Sequence, residues 1–412
     1  MTKKRILDGI KVLDLTRFFS GPQCTLFLAG LGAEVIKIDD PRVGDPTAFS
    51  PPFAGPQGVS FERRSPHDMG IAYLKRARAK KSTTVNLKST EGKELFMRMA
   101  RSADVVVENF SAGVADRLGI GYDVLREINP GLVYCSLTGY GSTGPARNLK
   151  AYDLMVQAAV GLMSITGHAE AGPTKAGSPL SDAIAGLFAA FGVVAALNYR
   201  QRTGHGQSVD VSMADCLLSL ILDEPLDCYR ELGLAFQQGN RIMRFSPFNA
   251  YKSADGWVTL GTASNDDWST LLDLMGRPDL KDDPDIMSVA WRLSNNATVD
   301  ELVSTWTATL ATSEIEQRLH SAKIPCSAVR TIDDVLACEQ TIARNMTVSL
   351  WNPLAEAAMN VKAAAFPLRF GHADVGYDTA APVPGEHTEA VLREMAGVDS
   401  VELQRLRERR II

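Results

Sequence analysis

Several familiar signatures of enzyme chemistry are missing from this 412-residue sequence. Its six cysteines contain no Cys-x-x-Cys pair and its six histidines no His-Glu-x-x-His spacing, so neither residue type indicates a zinc site or a thioredoxin-like motif. No Gly-x-Ser-x-Gly occurs, which leaves a serine hydrolase without local support. The scattered cysteines are typical of buried thiols in a reducing compartment.

The sequence also lacks a basic surplus and a long apolar run. The net charge is −5, whereas a nucleic-acid surface needs a strong excess of Lys and Arg. The longest apolar stretch, residues 183–197, is shorter than the roughly 20 residues of a membrane span and predicts a buried helix. Residues 1–6 are basic, but no apolar run follows them as in a signal peptide. We expect a soluble, cytoplasmic protein without metal, nucleic-acid or membrane partners.

Strand-like and helix-like patterns alternate over the first 150 residues. Residues 11–16 form a β-rich run, residues 23–31 have helical spacing, and residues 33–38 are the next strand. The series resumes at residue 83, after an irregular stretch over residues 40–70 that is rich in Pro and Gly, and a later helix is predicted over residues 213–232. Interleaved strands and helices predict an α/β fold with a parallel sheet covered by helices on both faces.

Two short segments could bind phosphate groups. The turn Ser20-Gly21-Pro22 follows the first strand but has neither the Gly-x-Gly-x-x-Gly pattern nor a Walker lysine, which favours a plain strand-to-helix connection. Residues 75–81 hold five cations in seven positions. Such a cluster is either a phosphate-binding patch or a solvated charged edge, and the pattern leaves both interpretations open.

Asp182 lies at the predicted start of the long apolar helix and allows two interpretations. Aspartate is a favoured N-cap residue, and its charge suits the helix dipole. The same position keeps a carboxylate ionised, and an ionised carboxylate can act as a nucleophile in covalent catalysis. Periodicity alone does not separate the two.

A series of motifs along nearly the whole chain resembles the class III CoA-transferases, the family of formyl-CoA transferase, carnitine CoA-transferase and α-methylacyl-CoA racemase. In chain order these motifs are Lys11-Val12-Leu13-Asp14-Leu15-Thr16, Gly21-Pro22, Leu31-Gly32-Ala33-Glu34-Val35-Ile36-Lys37-Ile38, Lys80-Lys81-Ser82, Val107-Glu108-Asn109-Phe110, Arg117-Leu118-Gly119, Ser136-Leu137-Thr138-Gly139-Tyr140-Gly141, Tyr152-Asp153, Gln157-Ala158, Asp182, Gly186, Arg202-Thr203-Gly204-His205-Gly206-Gln207, Asp255-Gly256 and Pro384-Gly385-Glu386-His387-Thr388.

The resemblance implies a fold and an assembly. It predicts a Rossmann-like large domain with a parallel sheet plus a smaller α+β domain, in an interlocked homodimer. The character of the sequence changes near residue 239. We expect residues 1–225 to begin the large domain, residues 226–340 to form the small one, and residues 341–412 to return and complete the large domain.

The resemblance also implies roles for individual residues. Asp182 matches the family's nucleophile, and Asp153 and Tyr152 accompany it as candidate catalytic residues. The CoA contacts are expected at Val85, Lys88, Asn109, Phe110 and Arg117. A further family arginine falls at Asp40, where Arg42 is near enough to substitute. Residues 264–268 correspond to a loop that family members fold over the site.

The implied reaction moves CoA from an acyl-CoA thioester, which is a substrate rather than a permanently bound cofactor, to a carboxylic acid. A racemase of 2-methylacyl-CoA is an alternative, although that branch has a histidine where this chain has Tyr152. A CoA-binding protein without turnover is a third. Phe19 replaces a glutamine of the oxalate branch, which disfavours oxalate, and Arg17, Arg147, Arg241 and Arg244 are candidate partners for the acceptor carboxylate.

Overall fold

The computed structural model describes residues 4–412; residues 1–3, which begin the basic segment at residues 1–6, lie outside it. The described strands, β1 to β14 in chain order, are Lys11–Asp14, Glu34–Asp39, Phe53–Gly55, Gly58–Ser60, Met69–Gly70, Lys80–Thr84, Val105–Glu108, Val133–Thr138, Ser208–Ser212, Phe248–Lys252, Trp257–Gly261, Cys326–Ala328, Thr347–Asn352 and Ala357–Ala364. The helices, α1 to α18, are Ser20–Gly30, Ile71–Arg76, Thr90–Ala100, Val114–Leu118, Tyr122–Ile128, Asp153–Ala159, Leu162–Ile165, Leu180–Thr203, Met213–Ile221, Asn265–Leu274, Pro284–Met287, Val289–Ser294, Asn296–Thr307, Thr312–Ser321, Ile332–Ala337, Glu339–Ala343, Thr388–Ala396 and Ser400–Glu408.

The largest sheet has the strand order β6-β2-β1-β7-β8-β9, and every neighbouring pair is parallel. The chain builds outward from β1 on one side and from β7 on the other, as in doubly wound nucleotide-binding sheets. Ligands of such sheets bind beyond the carboxyl ends of the strands, where the winding reverses. The expected mixed α/β architecture with a parallel sheet is confirmed, and the reversal lies between β1 and β7.

Strand β7 shows why both faces of this sheet are covered. Its sequence is Val-Val-Val-Glu, and all four residues are buried. Val106 packs into one hydrophobic core, whereas Val105 and Val107 pack into a second core. Because alternate side chains of a strand point to opposite faces, each core lies on one face of the sheet, and a continuous apolar run is the pattern this requires.

Helix α8 is longer than the sequence pattern predicted and begins two residues earlier. Its 24 residues are apolar enough to cross a membrane by length and composition, and 44% of its most apolar window is buried inside the protein. A core helix of a soluble protein passes the same test. One face packs on α1 so closely that a Cβ on Gly186 would lie 2.7 Å from the carbonyl oxygen of Ser20. The glycine therefore sets how near the two helices can come.

The chain divides into two compact units. The first holds the chain up to Leu162, Lys175–Pro225 and Gln340–Ile412, and the second holds Met163–Thr174 and Leu226–Glu339. Within the second unit, the antiparallel sheet β10-β11-β12 packs with helices around a core that includes Trp268 and Val303. The C-terminal segment is tied to the first unit by the buried amide of Asn352, which donates to Ala54 O and His67 O.

Three local expectations were wrong. Residues 40–70 are not wholly irregular, because β3, β4 and β5 form a small antiparallel sheet there. The helix predicted over residues 213–232 ends at Ile221. Residues 264–268 are not a free loop, because Ser264 and Asp267 form a capping box at the start of α10 and Trp268 is fully buried. The capping box fixes those residues as a helix terminus.

Candidate active site

The loop between β1 and α1 lies at the point where the sheet reverses its winding. The side chain of Asn109, just after β7, forms two hydrogen bonds with the backbone of this loop. Its Oδ1 accepts from Arg17 N and its Nδ2 donates to Arg17 O, both at 2.8 Å. At Gly21 an added Cβ would lie 2.5 Å from Thr16 Cβ. The Ser-Gly-Pro turn is therefore more than a plain connection, since its glycine lets the loop fold back on β1 and β7.

Buried ion pairs lie beneath the loop. Lys80 pairs with Asp14 at 3.0 Å, and Lys37 pairs with Asp45 at 2.8 Å while donating to Thr16 O at 3.0 Å. Burial opposes ionisation of Asp14, but the charges of Lys80 and Lys37 hold the pKa of its carboxyl below the usual value. Breaking one partner of such a pair leaves an uncompensated buried charge, so the network holds the loop in place.

Three of the five cations at residues 75–81 have partners within the protein, so the segment is neither a wholly solvated edge nor a wholly open phosphate patch. Lys80 is committed to Asp14, and Arg78 is buried with its guanidinium on the carbonyl oxygens of Lys75 and Ala364. Lys81 pairs with Glu34. A solvated edge would leave these side chains exposed, and a phosphate patch would leave them without protein partners.

Asp182 is the third residue of α8 and does not cap it, so the capping interpretation is wrong. The N-cap position is Pro179, which makes no side-chain capping bond. The Asp182 carboxylate instead accepts hydrogen bonds from the side chain and backbone of Ser20, at the start of α1. Burial raises the pKa of Asp182 to about 6, and the hydrogen bonds from Ser20 oppose that rise. At neutral pH the carboxylate is therefore mainly ionised, yet poorly solvated, which suits a nucleophile.

Asp153 holds the start of α8 from a neighbouring helix. Its Oδ1 accepts from Ser181 N at 2.9 Å and from Ser181 Oγ at 2.6 Å, and its Oδ2 accepts from Gln157 Nε2 at 2.6 Å. Both carboxylate oxygens are thus occupied. The negative charge of Asp153 also contributes to the raised pKa of Asp182. Asp153 both fixes the position of Asp182 and makes its carboxylate more basic.

A cavity of about 330 Å³ opens above Asp182. Of the catalytic and CoA-binding residues predicted from the sequence, Asp182, Tyr152, Asn109 and Phe110 line this cavity. Tyr152 is 65% exposed and meets the edge of Phe18 with ring centroids 6.5 Å apart. The structure therefore brings four of the predicted residues around one space of ligand size.

A second cavity of about 450 Å³ adjoins the first, and Ser111, Thr138 and Arg147 are among the residues that line both. Arg117 lines this second cavity together with Glu108. Burial raises the pKa of Glu108 to about 7. The two cavities therefore share part of their lining, with Asp182 in the first and Arg117 in the second.

Three predicted CoA contacts line neither cavity. The Val85 side chain is 1% exposed in the core, so it is not available to a ligand. Arg42 binds Asp40 through two of its nitrogens, at 2.9 and 2.6 Å, and would have to release that carboxylate before contacting phosphate. Lys88 is exposed, and its charge contributes to a lowered pKa of Asp40.

The candidate acceptor arginines also differ in their surroundings. Arg147 is exposed and lines both cavities, whereas Arg241, in the second unit, is paired with Asp300 at 2.7 Å. Sequence reasoning missed Ser20 as a partner of Asp182. It also missed the Gly-x-Gly-x-x-Gly spacing at Gly139–Gly144, where turns rather than a helix follow β8, so the spacing does not form a dinucleotide site. Within residues 4–412 no group of three His, Cys, Asp or Glu side chains could hold a metal ion.

Comparison with known proteins is consistent with this site. The sequence model of CoA-transferase family III matches residues 7–388. Succinyl-CoA–D-citramalate CoA-transferase of Chloroflexus aurantiacus is 30% identical over 99% of this chain and 98% of its own. Succinyl-CoA:mesaconate CoA-transferase of Haloarcula hispanica is 34% identical over 95% of this chain and 96% of its own. The crystal structure of a CAIB/BAIF family protein from Brucella suis superposes with a TM-score of 0.80, at 30% identity over 95% of this chain and all of that one.

These relatives confirm the enzyme class expected from the sequence, and their names favour transfer over racemisation. The match runs through β1, the loop that carries Ser20, and Asp182. The chain belongs to CoA-transferase family III.

Proposed function

We propose that this enzyme moves CoA between two carboxylic acids through covalent intermediates on Asp182. The observation that carries the proposal is the Asp182 carboxylate itself, which lines a ligand-sized cavity and is oriented by Ser20. Covalent catalysis replaces one difficult exchange by several easier ones.

The reaction balances without external protons or oxidants. The ionised Asp182 attacks the thioester carbonyl, forming a mixed anhydride and releasing CoA thiolate. The thiolate attacks the aspartyl carbonyl of the anhydride, which expels the first acid and leaves an aspartyl-CoA thioester. The acceptor carboxylate attacks this thioester, giving a second anhydride and the thiolate again. Attack of the thiolate on the acceptor's carbonyl then yields the new acyl-CoA and restores the Asp182 carboxylate.

The surroundings of Asp182 support this role. Its raised pKa makes it a better nucleophile than an exposed aspartate while leaving it mainly ionised at neutral pH. Asp153 positions the helix start and has no free carboxylate oxygen, so its part is to orient Asp182 rather than to exchange protons. Tyr152 and Phe18 form an aromatic edge of the cavity, and a bound acyl-CoA covering this edge would help keep water from hydrolysing the anhydride.

We assign the pantetheine arm and the phosphates of CoA to the two adjoining cavities. Asn109 and Phe110 would contact the pantetheine arm near Asp182, and Arg117 would pair with a phosphate in the second cavity. Lys88 and Arg42, on either side of Asp40, would serve an outer phosphate once Arg42 releases that carboxylate. Val85 would act only by fixing the backbone of the segment that ends in Lys88, since its N–H donates to Asp39 O.

An isotope experiment tests the reaction class. Wild-type enzyme, an acyl-CoA and a labelled acid in deuterated water should produce labelled acyl-CoA without deuterium at the α-carbon, and Asp182→Asn should abolish the exchange. A racemase needs an acid/base group on each side of the α-carbon, and this chain has Tyr152 where the racemase branch has a histidine. Deuterium uptake without CoA exchange would favour the racemase instead, and binding without either reaction would favour a protein without turnover.

We also propose a homodimer. Helix α8 exposes an apolar stripe at intervals of four residues, formed by Leu187, Phe191, Ala195 and Tyr199. Phe191 is 67% exposed, and such a stripe on a 24-residue helix is typical of a surface that another chain covers. Light scattering should give twice the chain mass, and Phe191→Asp should lower it. A folded, active wild-type monomer at micromolar concentration would contradict the proposal.

A further inference from the structure

Glu108, the last residue of β7, carries a buried carboxyl group without a cationic partner. Its side chain is 4% exposed and lines the second cavity, and its Oε2 accepts from Phe110 N at 2.6 Å. Within residues 4–412 it makes no ion pair. Ionising a buried carboxyl group that no cation compensates is costly, so Glu108 favours its protonated form more than an exposed glutamate does.

Two further carboxylates line the same cavity, Asp116 from α4 and Asp210 from β9. Burial raises the pKa of Glu108 to about 7, and the hydrogen bonds from Ser136 and Phe110 oppose that rise. The negative charges of Asp116 and Asp210 add to it. Near neutral pH, the protein without a ligand therefore contains Glu108 in both charge states.

Strand β1, which pairs with β7, offers Glu108 no charge on its face of the sheet. Side chains alternate along a strand, and Leu13 and the following Leu15 lie in the core on this face. Asp14 is on the opposite face, where Lys80 pairs with it at 3.0 Å. The ionisation of Glu108 is therefore governed by the groups around the second cavity.

The same cavity holds polar groups that lack partners in the protein. Throughout the part of the chain that the structure describes, the guanidinium groups of Arg117 and Arg147 make no hydrogen bond or ion pair. The Tyr134 hydroxyl is buried and also has no hydrogen-bond partner. The ring of Tyr122, from α5, lies 6.1 Å from that of Tyr134. Two free guanidinium groups and an unpaired hydroxyl suit a ligand with several accepting oxygens, such as a phosphate.

A phosphate in this cavity would change the ionisation of Glu108. Its negative charge adds to those of Asp116 and Asp210, and nearby negative charge disfavours an ionised carboxylate. The protonated carboxyl group has an O–H that can donate to a phosphate oxygen, whereas a carboxylate can only accept. One proton taken from solvent therefore turns a repulsive contact into a hydrogen bond.

We propose that Glu108 takes up a proton when CoA binds and donates it in a hydrogen bond to the phosphate that Arg117 holds, so that the enzyme binds CoA less tightly as the pH rises. This inference rests on the proposed placement of a CoA phosphate in the second cavity. Glu108 is then a ligand-binding residue as well as the acceptor that fixes the backbone at Phe110.

Calorimetric titration with free CoA tests the inference without any acyl transfer. The Kd of the wild type should be about tenfold higher at pH 8 than at pH 6, because a group with a pKa of about 7 must be protonated in the complex. Glu108→Gln has the shape of the protonated acid and keeps a donor, so it should show no such rise and should bind CoA about tenfold more tightly than the wild type at pH 8. Repeating the titrations in buffers of different ionisation enthalpy should show that the wild type takes up about half a proton more than Glu108→Gln at pH 7. This difference between the two proteins cancels the titration of the phosphates of CoA itself.

A control variant and a second readout make the test decisive. Glu127→Gln removes an exposed glutamate of α5 and should keep the pH dependence of the wild type. If Glu108→Gln does not fold, infrared difference spectra of the wild type with isotope-labelled glutamate serve instead, and adding CoA at pH 8 should produce the band of a protonated glutamic acid. Absence of that band would overturn the inference, as would a wild-type Kd that does not rise with pH or an equal rise in Glu108→Gln. An unchanged Kd in Arg117→Ala would instead count against the placement of the CoA phosphate itself.

Discussion

The hydrogen bond from Ser20 to Asp182 makes a quantitative prediction about pH. Catalysis requires the ionised carboxylate, so the wild-type kcat/KM should fall as the pH drops through about 6, the pKa of Asp182. The Ser20 hydroxyl stabilises the ionised form and holds that pKa down. Replacing Ser20 with alanine removes this donor and leaves the backbone N–H of residue 20 in place.

The size of the effect follows from the energy of one hydrogen bond to a charged group. Such a bond contributes about 1.5–3 kcal/mol, and one pKa unit corresponds to about 1.4 kcal/mol. In Ser20→Ala the pKa of Asp182 should therefore rise by about one to two units, to about 7–8. At pH 7 the ionised fraction would fall from about nine-tenths to between about one-half and one-tenth. The rate at pH 7 should drop roughly two- to tenfold and recover at pH 9.

The assay is the pH dependence of kcat/KM for CoA exchange between pH 4.5 and 9.5. Ser219→Ala, which removes a serine hydroxyl from the exposed face of α9, is the matched control and should leave the profile unchanged. An acid limb that stays at the same pH in Ser20→Ala would refute the reasoning. A loss that is equal at every pH would refute it as well, because it would show that Ser20 acts by something other than ionisation.

Three further predictions concern stability, packing and CoA binding. Asp182→Asn should raise the free energy of unfolding at pH 7 by about 1–3 kcal/mol, because the raised pKa of Asp182 means that ionising this carboxyl costs the folded protein stability above pH 6. In urea unfolding the gain should shrink at pH 4.5, where Asp182 of the folded wild type is protonated. Gly186→Ala should lower turnover at least about tenfold, because the added methyl group displaces α8 from α1. The control Gly177→Ala, whose added methyl group meets open space, should leave turnover unchanged. Equal activity of the two variants would contradict the packing argument. Arg117→Ala and Lys88→Ala should raise KM for the acyl-CoA about tenfold or more with little change in kcat, as measured by steady-state kinetics; an unchanged KM would remove both residues from the CoA site.

The parallel sheet was predictable because its signal is local. Strands β1, β2 and β7 are short β-rich runs, and helical segments separate them along the chain. The start of α8 was not predictable to the residue, because the groups that satisfy it come from Asp153 on another helix. When a side chain from another helix fixes where a helix begins, the sequence of that helix contains no local signal for its first residue.

The polar groups around Asp182 were harder to predict for the same reason. The cluster at residues 75–81 looks uniformly cationic in sequence, yet Lys80 is buried on Asp14, Lys81 pairs with Glu34, and Arg76 stacks on Phe19. Which cation meets which carboxylate depends on the strand order β6-β2-β1, and the alternation of side chains along β6 separates neighbours in sequence. The sequence pointed to Asp182 through a family resemblance, whereas the part of Ser20 became visible only in three dimensions.

Trapping of the covalent intermediate tests the central claim most directly. Wild-type enzyme incubated with an acyl-CoA and then treated with hydroxylamine should carry a hydroxamate on the peptide that contains Asp182, detected by mass spectrometry. Omitting the acyl-CoA should prevent the modification, and Asp182→Asn should show neither hydroxamate nor turnover. A hydroxamate on another carboxylate, or an Asp182→Asn variant that keeps more than a few per cent of wild-type turnover, would contradict the assignment of Asp182 as the nucleophile.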